Sequence, residues 1–530
     1  MPPPAPSPHP RPSAGRAPLV LGLLASLAVI ATLGDPGITV DEPLDVRPGR
    51  TYVATLRARG LRFFGRATVD AVFRDNAEHP PLGRWLLGIA STLGEPFEVL
   101  LRGGSDPVGI YVVAGRLAPA LAFGALVGLV AAAAAGRGHG RPAAWASGLA
   151  LAIMPRAFAH AHLGALDTFI ALFWTSALLA LARATEGPRP TLRMALAGLA
   201  LGLALLTKIH AWFLIPIALA WALARLRPIP ALLGWSSWLA VGLATFLGGW
   251  PWLWYDPIGR LSRYLGTGID RVPIQVLYFG RVYLDREVPW HYPWFYFAAT
   301  IPVGLLGLGA WGAWRGFRER RADPLPPLLV GSITLFLVVF STRVPVYDGE
   351  RLFLVAFPLF AILAGRGFGS LWAGAGRGRR VALVLLMVGQ GWGLASMHPF
   401  GLSYYNLLVG GLPGAERLGL ELTYWGDSVD GPLLDRLASE ARPGDTAALA
   451  PTLAPDQGKV ATTRRLVRIP LVLQDQEAAD QADWLVVSRR SAYWSDAVRD
   501  RIARGPIVVT RSRQGVWLSA VIGARKPNSP

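Results

Sequence analysis

Two adjacent carboxylates, Asp41 and Glu42, stand directly after the first apolar run, Leu19 to Leu33, in the segment Ile38-Thr39-Val40-Asp41-Glu42-Pro43. Ionised carboxylates are costly in hydrocarbon, so a pair emerging at a helix end belongs at the membrane surface, where one member can titrate as a base or bind a cation. The same Asp-Glu-Pro also suits a solvated turn. Further along come His79 and Arg84 in Glu78-His79-Pro80-Pro81-Leu82-Gly83-Arg84, then His160, His162 and Asp167, then Thr207-Lys208-Ile209-His210, and Arg351 at the end of the segment from Ser341. Lys208 sits at a predicted helix end with no acidic neighbour in sequence, so it must either snorkel or meet an anion. His160 and His162 read first as polar caps at a membrane surface and second as ligands.

The elements that must position these residues are membrane helices. Of 530 residues 52% are hydrophobic and only 16% charged, which describes a polytopic membrane protein and excludes a soluble multidomain enzyme. The net charge of +18 is not a nucleic-acid signal, because the arginines fall in short loops between apolar runs, where the positive-inside bias puts them. With no cysteine, disulfides and thiolate metal sites are excluded, and any metal would need carboxylate or imidazole ligands.

The first run reads as a retained signal anchor crossing from inside to outside, behind a Pro-rich cytoplasmic N-terminus, residues 1–17, expected to be disordered. Further spans are expected near Val108–Ala135, Pro142–Pro155, Thr168–Leu181, Leu192–Leu206, Ala211–Ala224, Ala231–Gly249, Trp294–Trp311, Leu325–Phe340, Leu352–Leu363 and Val381–Ser396, about eleven in all. Arg137 and Arg141, then Arg183, Arg189 and Arg193, then Arg225 and Arg227, then Arg315 to Arg321, then Arg366 to Arg380 fall on alternate connections, which are therefore cytoplasmic. The complementary connections face outward and carry nearly every unusual residue. The first, residues 35–106, holds Asp41, Glu42, His79 and Arg84. Its basic stretch Tyr52–Ala71 suits a helix on the membrane surface, and Trp252, Trp254, Trp290 and Trp294 of a later loop suit an interfacial aromatic belt.

An Asp-Glu-Pro after the first span, His-Pro-Pro-Leu-Gly-Arg later in the same loop, Leu166-Asp167 opening the fourth span, Thr207-Lys208 at the outer end of the fifth, and Arg351 before an apolar span containing Pro358 resemble the protein O-mannosyltransferase branch of the GT-C glycosyltransferases. The chain is also similar, less closely, to the lipid A aminoarabinose transferase branch. Ser403-Tyr404-Tyr405-Asn406 and Tyr424-Trp425-Gly426-Asp427 resemble a bacterial version of this family. No repeat-rich luminal insertion of the eukaryotic kind is visible, so the acceptor class stays open.

The resemblance implies a multi-pass enzyme of the bacterial cytoplasmic membrane that moves a mannose-like or other sugar from a polyprenyl phosphate to a hydroxyl on a protein, lipid or glycan, with inversion. Such a transfer needs a base, for which Asp41 is the choice. It needs cations or donors on the departing phosphate, for which Lys208, Arg351, Arg84 and His79 are the candidates. Glu42 and Asp167 would orient the acceptor, tune the base or hold a cation, and a divalent cation is left open. The transmembrane catalytic region is expected over residues 18–397. Residues 398–530, with short strands near Ala447–Ala450, Leu466–Ile469, Trp484–Val487, Ile507–Thr510 and Gly515–Val521, read as a small extracytoplasmic α/β domain. No P-loop or dinucleotide fingerprint points to a nucleotide-sugar donor. The competing class is a transporter or flippase of lipid-linked sugars, which would place charges at midplane in repeated broken helices.

Overall fold

The computed structural model describes residues 14–523 apart from 75–78, 103, 107, 137–138, 268–271, 464, 468, 470 and 473–480. Most of the expected disordered N-terminus, Glu78 and Arg137 therefore lie outside the described residues. The chain is mostly helical up to about Met397, and a small sheet closes its C-terminal part.

Four helices among the described residues are long and apolar enough to cross a membrane: Val112–Ala134, Asp167–Ala184, Pro228–Gly249 and Arg377–Met397. Tyr292–Thr300 and Val303–Arg318 would make a fifth span if read together, and five shorter apolar helices accompany them. The expected span Pro142–Pro155 is a helix of only 13 residues, Gly140–Ala152. Lipid tails give helices no hydrophobic reason to associate, so small residues that admit close backbone contact do this work. A Cβ on Gly22 would lie 2.7 Å from the Gly124 carbonyl oxygen, and one on Gly312 would lie 2.0 Å from that of Leu363.

The expected continuous span Trp294–Trp311 is instead bent by 112° between Thr300 and Val303. Pro302 has no N–H to donate and drives Ile301 into extended backbone, φ −97° and ψ 133°. The carbonyls freed by the break meet Asn406, whose side-chain amide donates to Ala298 and Ile301, each at 2.6 Å, while its backbone N–H donates to Ala299 at 2.8 Å. Arg366, expected in a cytoplasmic loop, lies buried within the helix Ala356–Trp372 and pairs with Asp323.

The first outward connection holds more helix than expected. Asp41 and Glu42 open the helix Asp41–Arg59, where acidic residues favour the positive end of the helix dipole and Pro43 is tolerated in the first turn. The stretch Tyr52–Ala71 is not one surface helix. It breaks at Gly60, resumes at Arg66–Val72, and turns Tyr52, Val53, Phe63 and Val69 into the core. An exposed apolar row lies on the next helix, Leu82–Arg102. Gly49 and Gly88 bring these two helices together, since a Cβ on Gly49 would sit 2.1 Å from the Arg84 carbonyl oxygen. Trp252 is buried against Trp250 at 5.4 Å and is core, whereas Trp254, Trp290 and Trp294 are exposed.

The C-terminal sheet has five strands, β1 Ala447–Ala450, β2 Leu471–Val472, β3 Trp484–Ser488, β4 Ile507–Arg513 and β5 Val516–Ile522, in the order β2-β1-β3-β5-β4. β1 lies parallel to β2 and β3, and β5 runs antiparallel to β3 and β4. The strand expected at Leu466–Ile469 pairs instead from Leu471. This part is tied to the first connection: Gln457 Nε2 donates to the Ile38 carbonyl at 2.8 Å, and the Gly37 N–H donates to the Asp427 carbonyl at 2.7 Å.

Two tests follow from these contacts. Asn406→Leu orphans the Ala298 and Ile301 carbonyls and should cost about 1–3 kcal/mol for each, read as a lower unfolding midpoint. Burial pushes the Asp427 carboxyl up from 3.8 to about 6, against the Thr423 hydroxyl that donates to it at 3.0 Å. The folded chain thus keeps a proton that the unfolded chain releases earlier. The stabilising contribution is complete below about pH 3.8 and is lost as pH rises through about 6. The Tm of Asp427→Asn, which stays neutral, should therefore gain on that of the wild type between about pH 4 and 7. Parallel curves across that range would contradict it.

Candidate active site

Asp41 and Asp45 are four residues apart on one helix face and both line a cavity of about 690 Å³. Its other walls come from His79, from Lys208 and His210, from Tyr347, Asp348 and Arg351, and, on the C-terminal side, from Trp425, Thr452, Arg490 and Tyr493. Arg351 is at the centre. Its Nη2 donates to Asp41, its Nη1 donates to Asp348 Oδ2 at 3.2 Å, its Nε stands 3.5 Å from Asp167 Oδ2, and its guanidinium lies 4.0 Å over the Trp425 ring. Lys208 Nζ donates to the other oxygen of Asp167 at 2.6 Å. Arg490 reaches in from the C-terminal part and donates to Asp348 Oδ1 at 3.1 Å.

Local geometry explains how the chain presents Arg351. Asp348 and Gly349 both take left-handed backbone, φ 56° and 65°, so Asp-Gly turns the loop sharply just before it. A side chain on Gly349 would meet Arg156 at 2.7 Å. Beneath the turn Glu350 is fully buried and accepts from Arg156 at 2.5 Å, with His160 Nε2 at 3.7 Å from it. His160 therefore belongs under the site and not in its cavity. His162 is elsewhere, hydrogen bonded to Thr32 at 2.8 Å.

The structure brings Asp41, Asp167, Lys208, Arg351 and His79 to one place, and it moves two other candidates away. Glu42 points inward, not toward the cavity. It takes both prongs of Arg116, at 2.7 and 2.8 Å, and accepts the backbone N–H groups of Thr39 and Gly164. Arg116 in turn donates to the carbonyls of Leu33, Pro36 and Gly37. Glu42 thus anchors the first connection and does not line the cavity. Arg84 is also fully enclosed, held by Asp45 at 2.9 Å and by a hydrogen bond with Tyr52, and does not line the cavity. It supports Asp45 from beneath the cavity wall.

Burial, and after it the cations Arg84, Lys208 and Arg351, hold His79 well below the usual imidazole value, so it is neutral at physiological pH. Burial also raises Asp45, to about 6. Among the described residues no three His, Asp or Glu side chains converge as a ligand set for a metal ion.

Residues 78–254 match the family described as dolichyl-phosphate-mannose-protein mannosyltransferase. That match covers about a third of the 530 residues. The whole chain is similar in fold to ArnT from Cupriavidus metallidurans in the apo state, at 17% identity and a TM-score of 0.51, with 96% of this chain and 98% of that one covered. It is similar likewise to ArnT of the same organism bound to undecaprenyl phosphate, at 16% identity and a TM-score of 0.52, with the same coverage. No curated protein matches it in sequence.

Glu42→Gln should behave as a folding variant. It leaves Arg116 buried without its counter-charge, at a cost of about 3 kcal/mol or more in stability, while Asp41→Asn, at the cavity wall, should unfold close to the wild type. Thermal unfolding of the two purified variants checks this. A Glu42→Gln protein as stable as the wild type but unable to transfer would return Glu42 to the chemistry.

Proposed function

We propose that this protein transfers a sugar from a polyprenyl-phosphate donor to an acceptor hydroxyl at the extracytoplasmic face of a bacterial cytoplasmic membrane. The observation that carries the reading is one cavity in which an accessible carboxylate, Asp41, faces two cations, Lys208 and Arg351, each within reach of a phosphate. The match over residues 78–254 to a dolichyl-phosphate-mannose family, and a fold shared with a protein that binds undecaprenyl phosphate, support a lipid-phosphate donor. The arginine bias of alternate loops supports the extracytoplasmic side.

In this reading the acceptor oxygen attacks the anomeric carbon as the bond from that carbon to the phosphate oxygen breaks, which inverts the carbon. The electron pair leaves on the lipid phosphate, where Lys208, Arg351 and neutral His79 meet the growing charge. The hydroxyl proton passes to Asp41. Asp41 is free for this only when Arg351 lets go of it. The surrounding charges balance in the free protein: Arg351, Lys208 and Arg490 against Asp41, Asp167 and Asp348. An arriving phosphate adds negative charge, so one carboxylate must give up its share of Arg351. Asp41, with a side chain 24% exposed against 2% for Asp167 and 5% for Asp348, is the one able to turn into water.

Asp41→Asn keeps the shape but not the basic lone pair, so transfer from a synthetic polyprenyl-phosphate sugar should fall by ~10²-fold or more with donor binding retained. Lys208→Ala should raise the donor KM and lower kcat as well, because the phosphate contact strengthens as the bond breaks. Near-normal transfer by Asp41→Asn would refute the base, and uptake of intact donor into liposomes without bond cleavage would refute the transferase.

A further inference from the structure

A second cavity, of about 600 Å³, lies outside the candidate active site between the helices Asp41–Arg59 and Leu82–Arg102 and is closed by the loop Val108–Ile110. Three of its lining residues are arginines. Positions 47, 50, 54, 57 and 58 recur at helical spacing, so Arg47, Arg50 and Arg57 share one face of the first helix with small alanines between them. Arg50 is fixed in place: it donates to the Ser91 carbonyl at 3.1 Å and to Glu95 at 2.7 Å, and stacks 4.8 Å from the Tyr111 ring. Arg47 pairs with Asp456 at 2.7 Å. Arg57 is exposed and makes no ion pair among the described residues. Three guanidinium groups thus face two carboxylates, and the excess is positive.

The opposite rim shows what adjoins this cavity. Thr92 lines it, and the next residue, Leu93, belongs to the exposed row Ile89, Leu93, Phe97 and Leu100, of which the last three are 64%, 70% and 77% exposed. These positions recur at intervals of four, four and three, a single apolar face on a helix whose other side packs on the protein. Leu61, 88% exposed, stands beyond the end of the first helix. In a protein with four helices long and apolar enough to cross a bilayer, such a face suits the interface, with its side chains in the acyl region. The arginine cavity bordering it is then at the depth of the lipid headgroups.

We propose that this cavity holds the phosphate of an anionic membrane lipid, with the acyl chains lying along the row Ile89, Leu93, Phe97 and Leu100. Guanidinium groups suit the ligand, since their planar donors bind phosphate oxygens in pairs, and Arg57 is the group with donors to spare. The site is independent of the transfer reaction and stands or falls separately from it.

The test uses the purified full-length protein in mild detergent. Phosphatidylglycerol should raise its Tm by about 2–4 °C over an equal amount of phosphatidylcholine, as a ligand of the folded state does. Arg57→Gln combined with Arg47→Gln should remove at least half of that difference, with the Tm in detergent alone close to the wild type. Counting lipids retained in native mass spectrometry should give one fewer phosphatidylglycerol on the double variant, and this count stands even if the variant is less stable. Equal shifts with both lipids, or a phosphatidylglycerol effect unchanged in the variant, would overturn the proposal. A shift reproduced by glycerol phosphate alone would assign the cavity to a soluble anion and overturn it as well.

Discussion

The geometry of the site depends on a single guanidinium shared by three carboxylates. Arg351 is bonded to Asp41 and Asp348 and stands within ion-pair distance of Asp167, so residues from the first connection, the start of a span and a late loop are held by one planar group. Burying one cation against one anion would barely offset the loss of water. Sharing the cation among several anions, with Lys208 and Arg490 making up the charge, leaves no uncompensated group while keeping the cluster polar. Trp425 covers the guanidinium face and adds a cation–π contact that desolvation strengthens. In the proposed reaction, a further anion reaching this balanced cluster would compete with the carboxylates for Arg351.

Around this hub, buried pairs act as pins. Glu42 with Arg116, Asp45 with Arg84 and Glu350 with Arg156 are each nearly or fully excluded from solvent. Such pairs are weak sources of net stability, but removing one partner is expensive, so they penalise any packing that separates them. Each stands in the cavity wall or next to a residue of it. Glu42 adjoins Asp41, Asp45 lies one turn below it, and Glu350 precedes Arg351. The pins fix the backbone from which the accessible groups project, which lets Asp41 and Arg351 change partners without moving the helices that carry them.

The membrane class, the helical bundle and the gathering of Asp41, Asp167, Lys208 and Arg351 were legible because charges that are costly in a bilayer fall on alternate connections of the chain. The inward turn of Glu42 was not legible, because neighbours on a helix point about 100° apart: one of two adjacent carboxylates faces the cavity and the other the core, and composition does not say which. Recognising Asp-Glu-Pro as a first helical turn would have recovered Asp45, four residues on. The pairing of Arg84 with Asp45 gave no signal for the same reason. Arg116 and Glu350 gave no signal, since each gains its meaning from a residue far away in sequence. The break at Ile301-Pro302 was visible in the proline, but the Asn406 that satisfies it lies more than a hundred residues later.

That distant repair bears on why the C-terminal part is attached at all. Asn406 closes the broken helix, and fifteen to twenty residues later the chain returns as Glu421 to Trp425 to lay an indole on Arg351. From there Gly37 hydrogen bonds to Asp427, Gln457 bridges Ile38 and Trp425, and Arg490 reaches Asp348. Apart from the Gln457–Trp425 bond, these contacts land on the segment just before Asp41, on Arg351 or on the loop just before it. The two residues that must separate for the proposed chemistry are thus each gripped from the same side by a part of the chain that supplies neither. The C-terminal part therefore braces both sides of the Asp41–Arg351 pair as well as walling the cavity.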